Sequence, residues 1–355
     1  MCEAEGSQIE GKTRAVSVPR IDCSWNYVDL LQIASFSLPR ANSRITLERN
    51  SITTKEAEGE ESLQSELLQV QNVVSEVADD RPVVSCQFSA NGELLATASW
   101  SGNVKIWNIP SLTMQKSFHA HDERISGVAW RPILNSRAII ATGSVDSTAK
   151  LWDTEKGLLR TFQGHGARLA RIGFHPMGDH LGTASFDQTW RLWDIESGNC
   201  LLEQEGHSKA VYAIAFQNDG ALAASGGLDA YCRVWDLRTG RCIILLEGHV
   251  KGILSADFSP NGYLLATGSE DHTSRAYDLR KKGTLAILPG HNSLVSQVRF
   301  EPQSGRYLLS TGYDNVGKIW YGTNFKLVKT LAGHDAKVMG GDIRPSPEPL
   351  IATVG

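Results

Sequence analysis

The sequence predicts an all-β fold, a β-propeller of seven radial sheets with the seventh incomplete at the C-terminus, and three periodic observations predict it. The dipeptide Gly-His recurs at Gly164-His165, Gly206-His207, Gly248-His249, Gly290-His291 and Gly333-His334, with Ala120-His121 as a degenerate copy, so successive histidines lie 44, 42, 42, 42 and 43 residues apart. A second ladder runs in phase: Trp107-Asn108, Trp152-Asp153, Trp193-Asp194, Trp235-Asp236, Tyr277-Asp278 and Trp320-Tyr321. Third, a polar residue stands six positions before each of those aromatics and a hydroxyl four positions earlier again. A fixed period of this length marks a repeat architecture in which each unit covers its neighbour.

Each repeating position has a chemical reason. An indole N–H only donates, a hydroxyl and a neutral imidazole each donate and accept, and a carboxylate only accepts. Donors and acceptors therefore balance within the sets His121, Thr142, Asp146 and Trp152; His165, Thr183, Asp187 and Trp193; and His207, Ser225, Asp229 and Trp235. Two further sets are His249, Thr267, Asp271 and Tyr277, and His291, Ser310, Asp314 and Trp320; Thr97, Ser101 and Trp107 are the matching positions of the first unit. A complete buried chain of this kind rigidifies its surroundings. Between the markers, short apolar runs such as Ser255–Phe258, Tyr263–Thr267, Thr189–Trp193 and Cys242–Leu246 alternate with turn segments such as Ser259–Gly262, giving four strands per unit. No window after Arg81 has helical periodicity. Period, Gly-His/Trp-Asp ladders and relay together resemble the WD40 repeat.

Composition narrows the class. The hydrophobic fraction of 41% is ordinary for a globular chain, and no run of about 18 apolar residues exists to cross a bilayer. Cys2, Cys23, Cys86, Cys200, Cys232 and Cys242 show no paired metal-ligand spacing, and Met1–Glu5 opens without an apolar core, so a reducing intracellular compartment is expected. Residues 1–80 hold 14 acids and 7 bases, leaving 25 acids and 28 bases for 81–355. That faint basic excess is no nucleic-acid stripe. Residues 1–68 are expected to form a mostly disordered acidic tail, including Glu56–Glu61, and 69–355 the propeller. Around Val70–Glu76 a strand joining the last sheet is favoured over a helix. The seventh unit starts at Gly333-His334 and reaches Thr353 at the hydroxyl position, but lacks its aspartate, its tryptophan and its third strand, which leaves His334 without partners and the chain less stable than one carrying that strand.

Beyond the general repeat, the stretches Ala167–Pro176, Leu181–Asp194, Glu205–Phe216, Gly227–Arg241 and Lys329–Met339 closely resemble the pre-mRNA-processing factor four family, the WD-repeat proteins of the U4/U6 small nuclear ribonucleoprotein. The resemblance covers about residues 79–355. It implies a nuclear, non-enzymatic scaffold of the U4/U6 particle and of the tri-snRNP with U5, whose partners are other particle proteins and U4/U6 RNA, touched directly or through proteins, with no membrane, cofactor or small-molecule substrate. Members of that family carry a longer N-terminal extension with a helical motif, of which Ser43–Arg49 is the trace here.

Histidine, aspartate and serine repeating together could suggest hydrolase triads, but copies at every repeat fit structural relays, so no catalytic residue is assigned. His119 and His121 lack a third metal ligand at a useful spacing. The residue before each relay acid, namely Trp100, Val145, Phe186, Leu228, Glu270 and Tyr313, should reach the narrow top face. Arg124, Arg168, Lys209, Lys251 and Lys337 should lie beside them, so Trp100, Phe186 and Tyr313 among cations are the expected partner surface, for protein or stacked RNA. A rival reading rests on Trp235-Asp-Leu-Arg238, the WDxR box of substrate receptors for cullin-based ubiquitin ligases; Tyr277-Asp-Leu-Arg280 repeats its ending.

Overall fold

Short connections rich in Gly, Asn, Asp and Pro force each strand to pair with the strand just before it, because a parallel crossover needs a dozen or more residues. The computed structural model describes residues 27–51, 65, 67–132, 138–345 and 350–355. It shows six four-stranded antiparallel meanders, in which strands one to four lie in sequence order. Blade one spans 83–119, blade two 125–162, blade three 169–204, blade four 211–246, blade five 253–288 and blade six 295–332. Their first strands contact one another in succession around an axis.

The expected seventh blade is not formed, and the count is corrected to six. Gly340–Ile343 and Ile351–Val354 make a two-stranded antiparallel hairpin, seated between the first strands of blades six and one, where it closes the ring; among the described residues no third or fourth strand joins it. The expected strand at Val70–Glu76 is likewise absent. A fourth strand needs the edge of a third, and the hairpin presents none beside it. Residues 67–69 are helical instead, Leu67 is buried against Tyr307, Ile319 and Ile343, and the Lys329 ammonium donates to the Leu68 and Val70 carbonyls at 2.5 and 2.7 Å.

The core consists of shared layers between blades. Ala213, Ala224 and Val234 of blade four pack with Ile253, Phe258, Leu265 and Tyr277 of blade five, and the other interfaces repeat the theme. Second strands such as His180–Ser185 and Leu264–Ser269 are buried at every position, since a neighbouring sheet covers each face. Small residues there set the spacing: a Cβ on Gly182 would come within 2.5 Å of the Phe216 ring. Every first strand carries a register shift against the second, a bulge that re-aims side chains near the ring's end.

The expected disorder does not extend to Tyr27–Ser51, which forms a 25-residue helix, α1. Residues 33, 37, 44 and 48 recur at three- and four-residue multiples and share one face. Ile33 is fully buried with Trp235 and Leu237, Phe36 packs on His175 at 5.9 Å, and Arg44 binds the Asp219 carboxylate at 2.7 Å and the Asn261 carbonyl at 2.7 Å. α1 therefore lies across the turns of blades three to five. The acidic stretch Glu56–Glu61 lies outside the described residues, and no described helix is long and apolar enough to cross a membrane. Arg44→Ala strands a buried carboxylate and is expected to speed amide exchange along α1 by about tenfold or more while the propeller's thermal midpoint moves little. Hydrogen exchange read peptide by peptide checks this.

Candidate docking surface and the relays beneath it

The donor and acceptor counts read from the sequence are met in space. In blade three the Trp193 indole donates to Thr183 Oγ1 at 2.9 Å, the Thr183 hydroxyl meets His165 Nε2 at 2.7 Å, and His165 Nδ1 meets Asp187 at 2.7 Å. The direction of donation follows: indole to hydroxyl, hydroxyl to Nε2, and Nδ1–H to carboxylate. Blade two repeats it through Trp152, Thr142, His121 and Asp146, each contact 2.9 Å. Blades four and six do so through Trp235, Ser225, His207 and Asp229, and through Trp320, Ser310, His291 and Asp314. In blade five Tyr277 fills the tryptophan position while Thr267, His249 and Asp271 keep the chain at 2.8 and 2.7 Å.

Two variants complete the set. Blade one lacks a relay histidine; Trp107 still donates to Thr97 at 3.0 Å, and Asp79, ahead of the first strand, accepts from Ser99 and Ser101. Asp79 precedes Ser101 by 22 residues, the separation of His165 from Asp187, so acid and partner have exchanged places. His334 of the hairpin, expected to have lost its partners, keeps one: its Nε2 meets Thr353 Oγ1 at 2.7 Å.

Electrostatics support the same direction. Burial opposes ionisation of Asp187 and Asp271, yet hydrogen bonds from His165 and Thr189, and from His249 and Thr273, hold both carboxyls well below the usual range. Burial outweighs the neighbouring carboxylate at His121 and His291, lowering both imidazoles, so these rings stay neutral near pH 7.

The relay acids fix the top face. Immediately before each relay position, the backbone N–H of Trp100, Val145, Phe186, Leu228, Glu270 and Tyr313 donates to the carbonyl of Pro82, Arg124, Arg168, Ala210, Gly252 and Leu294, at 2.9–3.0 Å. That bond places the loop leading into the first strand beside the end of the second. Cation and aromatic are brought together three times: Arg124 over Trp100 at 4.8 Å, Arg168 over Phe186 at 3.9 Å and Lys337 over Tyr313 at 5.2 Å. Lys209 and Lys251 are exposed on the same rim, and among the described residues neither stacks on a ring. Tyr212, not singled out from sequence, stands edge-on to Phe186 at 6.1 Å; as the bulged residue of its first strand it gives no periodic signal.

At the other end of the axis, a cavity of about 360 Å³ is lined by Phe88, Trp130, Asp257, Arg299 and Asp342 among others. Asp257 accepts the Phe300 N–H and Asp342 the Phe88 N–H, each at 2.7 Å, so each carboxylate latches its strand to the next sheet. Arg299 lies between them at 3.4 and 3.6 Å. Burial raises both carboxyls, Asp257 to about 6. A raised folded value means that the protonated form is favoured, so this contribution is present in full below about pH 4 and is lost as pH rises through about 6. Asp257→Asn keeps an acceptor for Phe300 and is expected to remove that slope; stability measured from pH 4 to 7 checks it.

Other singled-out residues are used locally. Arg238 Nε donates to Asp236 at 3.1 Å and Arg280 binds Asp278 at 2.8 Å, so the arginine of the WDxR box and that of the matching ending both close on their own aspartates. His119 Nδ1 lies 3.1 Å from Asn103, whereas His121 serves the relay. Burial pushes the Cys232 thiol up to about 12 and the Cys86 thiol higher still, consistent with apolar strand roles.

Six meanders around an axis, four of them pinned by a complete indole-to-carboxylate relay, define a WD-repeat propeller, a scaffold fold generally without catalysis. The WD domain, G-beta repeat model matches residues 73–108, 112–153, 156–194, 198–236, 240–278 and 282–321, and the chain belongs to that family. Among curated relatives it is 42% identical over 165 residues to an uncharacterized WD repeat-containing protein of Schizosaccharomyces pombe, covering 43% of this chain and 35% of that one. It is 48% identical over 138 residues to the U4/U6 small nuclear ribonucleoprotein PRP4-like protein of Arabidopsis thaliana, 38% of this chain and 24% of that one. It is 44% identical over 105 residues to the human U4/U6 small nuclear ribonucleoprotein Prp4, 29% and 20% of the two chains. The chain thus spans at most 35% of the length of these relatives.

Proposed function

We propose that this chain is a non-enzymatic scaffold subunit of the U4/U6 particle and of its tri-snRNP with U5, acting in the nucleus in spliceosome assembly and pre-mRNA splicing. The observation that carries the reading is the 48% and 44% identity to the plant and human U4/U6 proteins, within the repeats. Scaffolding needs a stiff frame and an adhesive face: the relays of His121, His165, His207, His249 and His291 supply the first, and the rim of Trp100, Phe186, Tyr313, Arg124, Arg168, Lys209 and Lys251 the second. Its partners on this reading are other U4/U6 proteins, with the RNA met directly or through them. The ligase-receptor reading gains nothing from Arg238, which is folded onto Asp236. Affinity purification from nuclear extract tests the proposal. U4 and U6 RNAs should co-purify, and a ligase adaptor recovered without them overturns it.

A further inference from the structure

The rim has two properties that together select one kind of partner. Its cations are uncommitted: among the described residues, Arg124, Arg168, Lys209, Lys251 and Lys337 enter no ion pair, because the nearby relay acids Asp146, Asp187, Asp229, Asp271 and Asp314 are held by histidines. A guanidinium lying over a ring still offers the N–H fork at its edge, which fits a carboxylate with two parallel bonds. Beside the half-buried Glu270, two apolar side chains also stand on the rim. Val250, whose N–H donates to the relay carboxylate of Asp271, is 82% exposed, and Tyr231, bonded in the same way to Asp229, is 38% exposed.

From these observations we infer that the top rim receives an extended protein segment in which acidic and apolar side chains alternate. RNA shares the negative charge but not the rest. Stacking of bases needs bare ring faces, and Trp100, Phe186 and Tyr313 are each half-buried with one face taken by a cation, Tyr212 closing the edge of Phe186. A phosphodiester backbone has nothing to place on Val250. An acidic–apolar segment answers both features: its carboxylates meet the cations and its apolar side chains cover Val250 and Tyr231.

The inference rests on the docking role proposed for this rim, but its test is blind to which particle the chain joins, so failure of the splicing reading shows separately, in the purification. Fluorescence anisotropy on the purified full chain uses three labelled probes: a short peptide alternating Glu with Leu, an all-Glu peptide of equal length, and an oligouridine. The alternating peptide should bind about tenfold more tightly than the all-Glu peptide. It should lose about tenfold in the combined Arg124→Glu, Arg168→Glu, Lys337→Glu variant, and should weaken between about 50 and 300 mM salt. Val250→Asp, at a position too exposed to matter to folding, should weaken it several-fold by itself. Equal binding of the two peptides, affinity unchanged by these substitutions, or displacement of the alternating peptide by an equal concentration of oligouridine overturns the inference.

Discussion

Thr183→Val is expected to destabilise the chain by about 2–5 kcal/mol, one of the two largest effects of a single substitution foreseen here. The swap nearly conserves volume, so the effect isolates the hydroxyl. Without it the Trp193 indole N–H and the His165 Nε2 both lose their partner in a fully buried setting, at about 1–3 kcal/mol for each unsatisfied group. Thr353→Val is the internal control. There the hydroxyl meets only His334 in a half-buried place, and about 1 kcal/mol is expected. Denaturant midpoints for the two variants settle the comparison; equal losses would show that the relay does not act as a unit. Acid should reveal the same chain. Because Asp187 and Asp271 ionise more readily folded than unfolded, their stabilisation is present above about pH 4 and is lost as pH falls through their depressed folded values.

The second large effect falls on ring closure. Asp342→Ala removes the acceptor of the buried Phe88 N–H and one of the two carboxylates beside Arg299, and about 3–5 kcal/mol is expected from leaving that cation partly uncompensated. The damage should be local. Amides of blade one and of the hairpin should exchange faster, while those of blades three to five keep their protection. Asp342→Asn, which still accepts from Phe88, should cost less. Uniform loss of protection around the ring would contradict the latch.

What was legible in the sequence follows from what repeats. The relays were readable residue by residue because their hydrogen-bond roles occupy fixed offsets, and the rim residues followed from the same offsets. Blade number was not. Gly333, His334 and Thr353 copy the start of a repeat, yet a blade requires strands to pair with, and two strands make a hairpin only. Asp79 escaped because it stands before the first unit with its role exchanged, although counting 22 residues back from Ser101 would have found it. Helix α1 left a weak trace: its buried face is narrow, Pro39 interrupts it, and Leu31, Leu38 and Leu47 remain exposed, so no clean apolar stripe appears.

Helix α1 has one mechanical consequence. It bridges three adjacent sheets on the side of the ring away from the hairpin, like a splint across one arc, while the opposite arc has no helix across it among the described residues and is joined by the Asp342 latch, the Ser296 bond to the Val338 carbonyl and the Arg344 bond to the Gly92 carbonyl. Breathing of the molecule is therefore lopsided: the joint at Asp342 parts first and the splinted arc last, so a partner gripping the rim near Phe186 holds the steadier half.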